Sequence, residues 1–272
     1  RALGVQTEWL GGDDVRQRLP TMAFADALAG TFNPGDGLVD PNSVVSGYIS
    51  ASQHAGVKCL TAISVTGILV RGGRIEGVET PMGTIQTPVV INTAGPWADQ
   101  VSRMAGVPLP ITPVRRQWFT TTPLPQLPGD FPFVLDFAQS LYFHPEGAGL
   151  LIGMSNQMQE PGYDQAVDDE FELVNAEAAI ARMPMLERAG RASRGAGLYE
   201  VTPDAHPIFG VTPVEGLYVV AGFSGHGFMH GPVAGRLISE LVLDGHYSTL
   251  DVSMLDLARF AEQRIIQEYN VV

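Results

Sequence analysis

The run Leu217-Tyr218-Val219-Val220-Ala221-Gly222-Phe223-Ser224-Gly225-His226-Gly227-Phe228-Met229-His230-Gly231 sets a glycine-rich turn between an apolar strand and a helix. Glycines let the backbone approach a ligand closely, and the free N–H groups at a helix start favour an anion or an electron-rich ring edge. The spacing is G-x-G-x-x-x-G, one residue longer than the dinucleotide fingerprint, and too little chain follows for the second half of a nucleotide-binding unit. It is therefore not read as a Rossmann phosphate loop. Pattern alone leaves two uses open, ligand contact or tight strand-to-helix packing. His226 contacts the ligand if the turn is a site and is a polar loop residue otherwise. His230 lies one helical turn on, without the H-E-x-x-H pattern of a metal pair.

Other polar residues carry similar alternatives. Tyr199 can donate its hydroxyl to a substrate or bury its ring at a sheet edge. Asp204, between Pro203 and Ala205, suits a turn in which its carboxylate accepts backbone N–H groups. Arg115-Arg116 can bind a carboxylate, yet at a domain edge the expectation is surface ion pairs. Cys59 reads as an inert core residue on a strand. Neither a G-x-S-x-G elbow nor a P-loop is present, which argues against serine hydrolases and nucleoside triphosphatases.

These residues sit in a chain of 272, with 45% hydrophobic positions, enough for a sizeable apolar interior. Sixteen Lys and Arg against 29 Asp and Glu give a net charge of −13, so nucleic acid and anionic membrane are poor partners. One cysteine suits a reducing, cytoplasmic setting and cannot form an internal disulfide. No metal site is expected.

The positioning elements follow from periodicity and punctuation. Asp13-Asp14 start a short helix that stops at Pro20, and a loop runs to Asp40. Asp40-Pro41 open a helix ending at Gly56, with Val44, Val45, Tyr48 and Ile49 on one face. Val57–Ile63, Val65–Val70 and Arg74–Glu79 read as strands, the last two joined at Gly72-Gly73. Thr87–Thr93 is a strand leading through Ala94-Gly95 into a helix with Trp97, Val101 and Met104. Prolines between Pro108 and Pro128 mark a boundary. Further strands are expected at Arg115–Thr121, Phe133–Phe137, Leu141–Phe143, Leu150–Met154, Ala196–Val201 and Leu217–Phe223. Helices are expected at Asp168–Met183, Phe228–Leu243 and Leu255–Tyr269.

Three stretches in order, Val89-Val90-Ile91-Asn92-Thr93-Ala94-Gly95-Pro96-Trp97-Ala98, Val201-Thr202-Pro203-Asp204-Ala205-His206-Pro207-Ile208-Phe209-Gly210 and Ala221 through Met229, resemble the D-amino-acid oxidase superfamily, in particular its sarcosine oxidase and dehydrogenase-like members. The resemblance implies an FAD-dependent oxidoreductase of mixed α/β fold, with a flavin domain (FAD/NAD(P)-binding) interleaved with a mixed-sheet substrate domain. Residues 34–106 and 202–272 then belong to the flavin side, and 1–33 and 107–201 to the substrate side. It implies cofactor contacts at Val65, Ala94, Gly95, Trp97, Gly225, His226, Gly227, Phe228 and Met229. Tyr199, His226 and Met229 fall at the catalytic positions. The implied reaction oxidises a small secondary or N-methylated amino acid by hydride transfer to flavin N5, with proline or a glycine-like amino acid as the alternative substrate and a non-catalytic flavoprotein subunit as the other reading.

Departures from the family pattern refine this. Gly197 stands where some sarcosine oxidase-like enzymes attach flavin through a cysteine, so noncovalent FAD is expected. Met229 stands where sarcosine oxidases use a lysine, glycine and D-amino-acid oxidase relatives place a carboxylate-binding arginine near the Tyr199 position, and neither cation is present at these positions; Leu151 corresponds to a lysine that activates oxygen. Without that cation at a developing superoxide, slow use of oxygen is expected, with electrons passing to a protein or quinone. The resemblance begins after the G-x-G-x-x-G unit that clasps the FAD diphosphate. Weak FAD retention is therefore expected unless an N-terminal segment or companion chain completes the site, and tight stoichiometric FAD on this segment alone would contradict that.

Overall fold

The computed structural model describes residues 4–266 and 268. Strand β1 (Glu8–Gly11) leads into helix α1 (Gly12–Arg18), and β2 (Ala29–Phe32) returns antiparallel to β1, inside the region expected to be loop. The Gly11 N–H donates to the Asp14 carboxylate at 2.9 Å, so the acidic pair closes the helix start from within. Helix α2 (Pro41–His54) is capped by Asp40, which accepts from the Asn42 and Ser43 N–H groups at 3.4 and 2.8 Å. Its apolar face forms as expected, yet the helix buries none of its residues, and Val45, Tyr48 and Ile49 stand exposed.

The next expected strand, Val57–Ile63, is coil, and Cys59 lies half-buried there rather than in a core strand. Its β-branched residues suit a strand, but a strand exists only where a neighbouring strand takes its N–H and C=O groups, and no strand among the described residues pairs with it. Strands β3 (Gly67–Arg71), β4 (Arg74–Thr80) and β5 (Gly83–Gln86) make an antiparallel meander. Gly72 and Gly73, with φ +58° and +79°, supply its first reversal. The strand expected over Thr87–Thr93 is confined to β6 (Val90–Asn92), followed by a 3-10 turn (Gly95–Trp97) and α3 (Ala98–Arg103).

The middle of the chain forms β7 (Thr112–Thr121), β8 (Val134–Asp136), β9 (Leu141–Glu146), β10 (Gly149–Met154), α4 (Asp169–Arg182) and β11 (Arg191–Val201). They build one antiparallel sheet in the order β11-β7-β10-β9-β8. Because side chains alternate across a strand, register divides this sheet into two unlike faces. On one, Leu141, Phe143, Leu150 and Ile152 are fully buried against Ala179 and Met183, and Val15, Met22 and Phe24 join the same core. On the other, Tyr142 lies opposite Gly153, Gly153 opposite Trp118, Trp118 opposite Gly195, and Arg116 opposite Gly197.

Strands β12 (Ile208–Val211) and β13 (Leu217–Ala221) complete a three-stranded sheet in which β13 pairs parallel with β6. Helix α5 (Gly227–Asp244) packs Ala234, Leu237 and Ile238 against Phe209 and Val220. The long C-terminal helix expected from Leu255 is not formed. A 3-10 turn (Ser253–Leu255) and α6 (Ala258–Ala261) replace it, and Tyr269 lies outside the described residues. The cause is Arg259, whose fully buried guanidinium grips Asp204 and the carbonyls of Leu255, Asp256 and His206, folding this segment onto the turn after β11.

Candidate functional site

Two glycine-bearing turns from different parts of the chain meet the last residues of β11. Gly225 has φ +100°, and a Cβ there would lie 2.6 Å from the Tyr199 ring. Gly95 has φ +55°, and a Cβ there would lie 2.9 Å from the neighbouring Glu200 carboxylate. The side chain of Asn92 holds the first turn. Its amide donates to the Ala98 carbonyl at 2.7 Å and to Ser102 Oγ at 3.0 Å, while its oxygen accepts the Ala94 N–H at 3.1 Å. The second turn is held by Glu200, whose carboxylate accepts the Phe223 N–H at 3.1 Å. Ser224 Oγ in turn accepts the Thr202 N–H at 3.2 Å. Gly222, Ser224 and Gly225 all adopt left-handed φ, and this network is what holds Ser224 there. Burial pushes the Glu200 carboxyl above its ordinary range, an effect the N–H donors of Phe223 and Gly222 oppose.

Helix α5 starts directly after the turn with His226 as its N-cap and no side-chain cap. The amides of Gly227, Phe228 and Met229 thus have no intrahelical acceptor and carry the positive end of the helix dipole. Phe228 and Met229 are exposed. The His226 ring stacks on His230 with centroids 6.0 Å apart, and burial, together with the neighbouring His226 and His206, lowers the His230 pKa. Trp97 stacks on Tyr163 at 5.9 Å, which carries the first turn over the loop between β10 and α4. Ala94 lies half-buried in that turn, while Val65 sits in the coil ahead of β3 without a bond to either turn among the described residues.

The arginine pair separates into two roles. Arg115 donates to Gln159 at 3.1 Å, Asp164 at 3.0 Å and the Ala166 carbonyl at 2.6 Å, the structural pairing expected of it. Arg116 does not follow that expectation. Its guanidinium lies 5.2 Å from the Tyr199 ring centroid, and no carboxylate pairs with it among the described residues. The site therefore holds a cation even though Met229, Tyr199 and Leu151 supply none. In the sequence Arg116 was a carboxylate-binding candidate only as one of a pair expected to form surface ion pairs, and Asn92, Glu200 and Tyr142 were not singled out, because each acquires its role through a partner brought by register or by a turn distant in the chain.

A family model described as FAD dependent oxidoreductase (DAO) matches residues 1–241. Sarcosine dehydrogenase, mitochondrial, of Mus musculus is 30% identical over 277 residues, covering 96% of this chain and 30% of that protein. Hydrogen cyanide synthase subunit HcnC of Pseudomonas aeruginosa is 31% identical over 271 residues, covering 98% of this chain and 62% of that protein. The crystal structure of L-proline dehydrogenase from P. horikoshii superposes with a TM-score of 0.89 at 30% identity, covering 97% of this chain and 71% of that one. The chain thus spans under a third of the length of the sarcosine dehydrogenase it matches.

Proposed function

Because this chain belongs to the FAD-dependent oxidoreductase family, we propose that it builds the substrate side and part of the flavin side of an enzyme oxidising a small secondary or N-methylated amino acid. The observation that carries the proposal is the convergence of the Gly95 and Gly225 turns on Glu200 and Tyr199. Those glycines let the two turns close on Glu200 and Tyr199, and the helix-start amides beside them, without an intrahelical acceptor, fit an electron-rich cofactor. Bound there, FAD supplies the acceptor for the two electrons removed from the substrate's C–N unit.

This chain's residues do the placing. The Gly227, Phe228 and Met229 amides would hold the electron-rich edge of the flavin, Asn92 and Glu200 hold the two turns in place, and Tyr199 would meet the substrate. Gly197 offers no atom for covalent attachment at that position, so acid denaturation is expected to release the flavin intact. Residues 34–106 and 202–272 form the flavin side of this proposal, and 1–33 and 107–201 the substrate side. The uncovered face of α2 and the naming of one relative as a subunit support a companion chain or further segment in the working enzyme. Proline is the second substrate reading, favoured by the likeness to L-proline dehydrogenase.

Anaerobic mixing of the flavin-loaded full-length protein with sarcosine, dimethylglycine, proline and glycine tests the proposal. Bleaching of the flavin by sarcosine or dimethylglycine is expected, bleaching by proline alone selects the second reading, and a flavin left oxidised by all four contradicts enzymatic function. Leu151 lies on the same sheet face as Arg116, opposite His144 and Thr120, and adds no charge there. Slow peroxide formation in air is therefore expected, with a protein or quinone as acceptor. Rapid stoichiometric peroxide would contradict that part.

A further inference from the structure

The chain between β10 and α4, residues 155–168, holds no helix or strand, yet it is fastened at close intervals. Pairing of β10 with β7 stops at Met154 opposite Gln117, and from there the loop runs along the first residues of β7. The Gly162 N–H donates to the Pro113 carbonyl at 2.9 Å, and Gln117 and Asp168 exchange two hydrogen bonds, each 3.0 Å long. Arg115 shares a face of β7 with Gln117, because side chains alternate along a strand. Its guanidinium donates to Gln159, Asp164 and the Ala166 carbonyl and lies 3.5 Å from Asp168. Charge-assisted bonds to several points of one loop make it a rigid arm of the sheet, not a slack connection.

Tyr163 sits on this arm between two anchors, the Gly162 N–H and the Asp164 carboxylate. Its ring stacks on Trp97, with centroids 5.9 Å and planes 24° apart. Trp97 is 42% exposed and Tyr163 39%, so their contact is not part of a core. Trp97 ends the 3-10 turn that begins at Gly95, and Gly95 abuts Glu200. Glu200 is the register partner of Pro113, the residue that takes the Gly162 N–H. The contacts thus close a circuit: β11 meets the turn at Gly95, the loop meets it at Trp97, and both are fastened to Pro113. Asn92 shapes the turn from within, through bonds to Ala94, Ala98 and Ser102, but those partners all belong to the same stretch of chain. They do not set where the turn stands against the five-stranded sheet.

We propose that Tyr163 is a positioning residue for the flavin: stacked on Trp97, it seats the Ala94–Trp97 turn against the substrate-side sheet, and FAD binding depends on that seating. The inference rests on the flavin-enzyme reading given above. It adds a strut between the two sides. Arg115 and Gln117 lie on the sheet face opposite to that of Arg116 and Tyr199, so the strut is anchored behind the sheet and acts through the turn.

Titration of the flavin-free full-length protein with FAD, followed by flavin fluorescence, tests this without turnover. Tyr163→Ala is expected to weaken FAD binding about fivefold, the worth of one stacked aromatic pair. Tyr163→Phe keeps the ring and should stay within about twofold of the wild type. Arg115→Met frees the arm and should also cost about fivefold; added to Tyr163→Ala it should cost less than about twofold more, because both remove one hold. Met158→Ala alters an 85% exposed side chain of the same loop and should leave FAD binding unchanged. A Tyr163→Ala protein that binds FAD within about twofold of the wild type, or a Tyr163→Phe protein as weak as Tyr163→Ala, overturns the proposal. If Arg115→Met does not fold, the two Tyr163 variants decide alone. Failure of the amino-acid reading looks different: every amine leaves the flavin oxidised, while FAD affinity still falls with Tyr163→Ala and returns with Tyr163→Phe.

Discussion

Asp204→Asn is expected to destabilise the protein by about 3–5 kcal/mol, because it leaves the buried Arg259 guanidinium without its counter-charge. The pair is bidentate, at 2.8 Å from Nε and 2.9 Å from Nη2, and the same carboxylate accepts the Ile266 N–H at 3.2 Å. Asparagine keeps one acceptor and removes the charge. Urea denaturation of both proteins reads the loss as a lower midpoint with an unchanged slope. The pair also predicts an acid limb. Hydrogen bonds from Arg259 and the Ile266 N–H outweigh burial and hold the Asp204 pKa at about 2, below its ordinary 3.8. A depressed carboxylate stabilises the fold above its unfolded pKa, and that contribution fades as pH falls from about 4 through about 2. The wild type should lose this increment over that window and the variant should not. Equal midpoints at neutral pH would mean that Arg259 is satisfied by the backbone carbonyls of Leu255, Asp256 and His206 alone.

Gly225→Val is the second large effect. The backbone there has φ +100°, which a β-branched residue adopts only under strain of about 1–3 kcal/mol. The new Cβ would also sit 2.6 Å from the Tyr199 ring, and relief of that overlap costs about 1–3 kcal/mol more. The expected result is a folded but weakened protein with a displaced Tyr199 and lost flavin retention in the full-length form, measured by thermal melting, tyrosine fluorescence and flavin absorbance after gel filtration. Gly231→Ala is the contrast, since no atom lies within 4 Å of its Cβ position and alanine favours a helix; it should stabilise by about 0.5–1 kcal/mol. If Gly225→Val melts with the wild type and keeps its flavin, the turn does not press on Tyr199 and the site described above is misplaced.

Features written within a few residues of each other were legible. Asp40 caps α2 because its side chain reaches amides two and three residues on, and Asp168 does the same for α4. Gly72-Gly73 turn the meander, and the Gly222–Gly227 segment forms a strand-to-helix turn of the expected kind. The expected strand Val57–Ile63 failed because strand propensity does not supply a pairing neighbour, and the face of α2 shows the same dependence on a cover the described residues do not provide. Leu255–Tyr269 carried helical spacing, but the ion pair to Asp204, 55 residues away, outweighed local periodicity in its described part.

By its residues alone, the chain determined its acidic surface charge, its glycine turns, its capped helices and the likeness to amino-acid oxidising flavoproteins, since these depend on composition and on short-range stereochemistry. Only the tertiary structure decided that Arg115 is a structural clamp while its neighbour Arg116 stands unpaired beside Tyr199. Adjacent residues on a strand point to opposite faces, and which face becomes core is settled by the register of β7 against β10 and β11 and by the packing of α4.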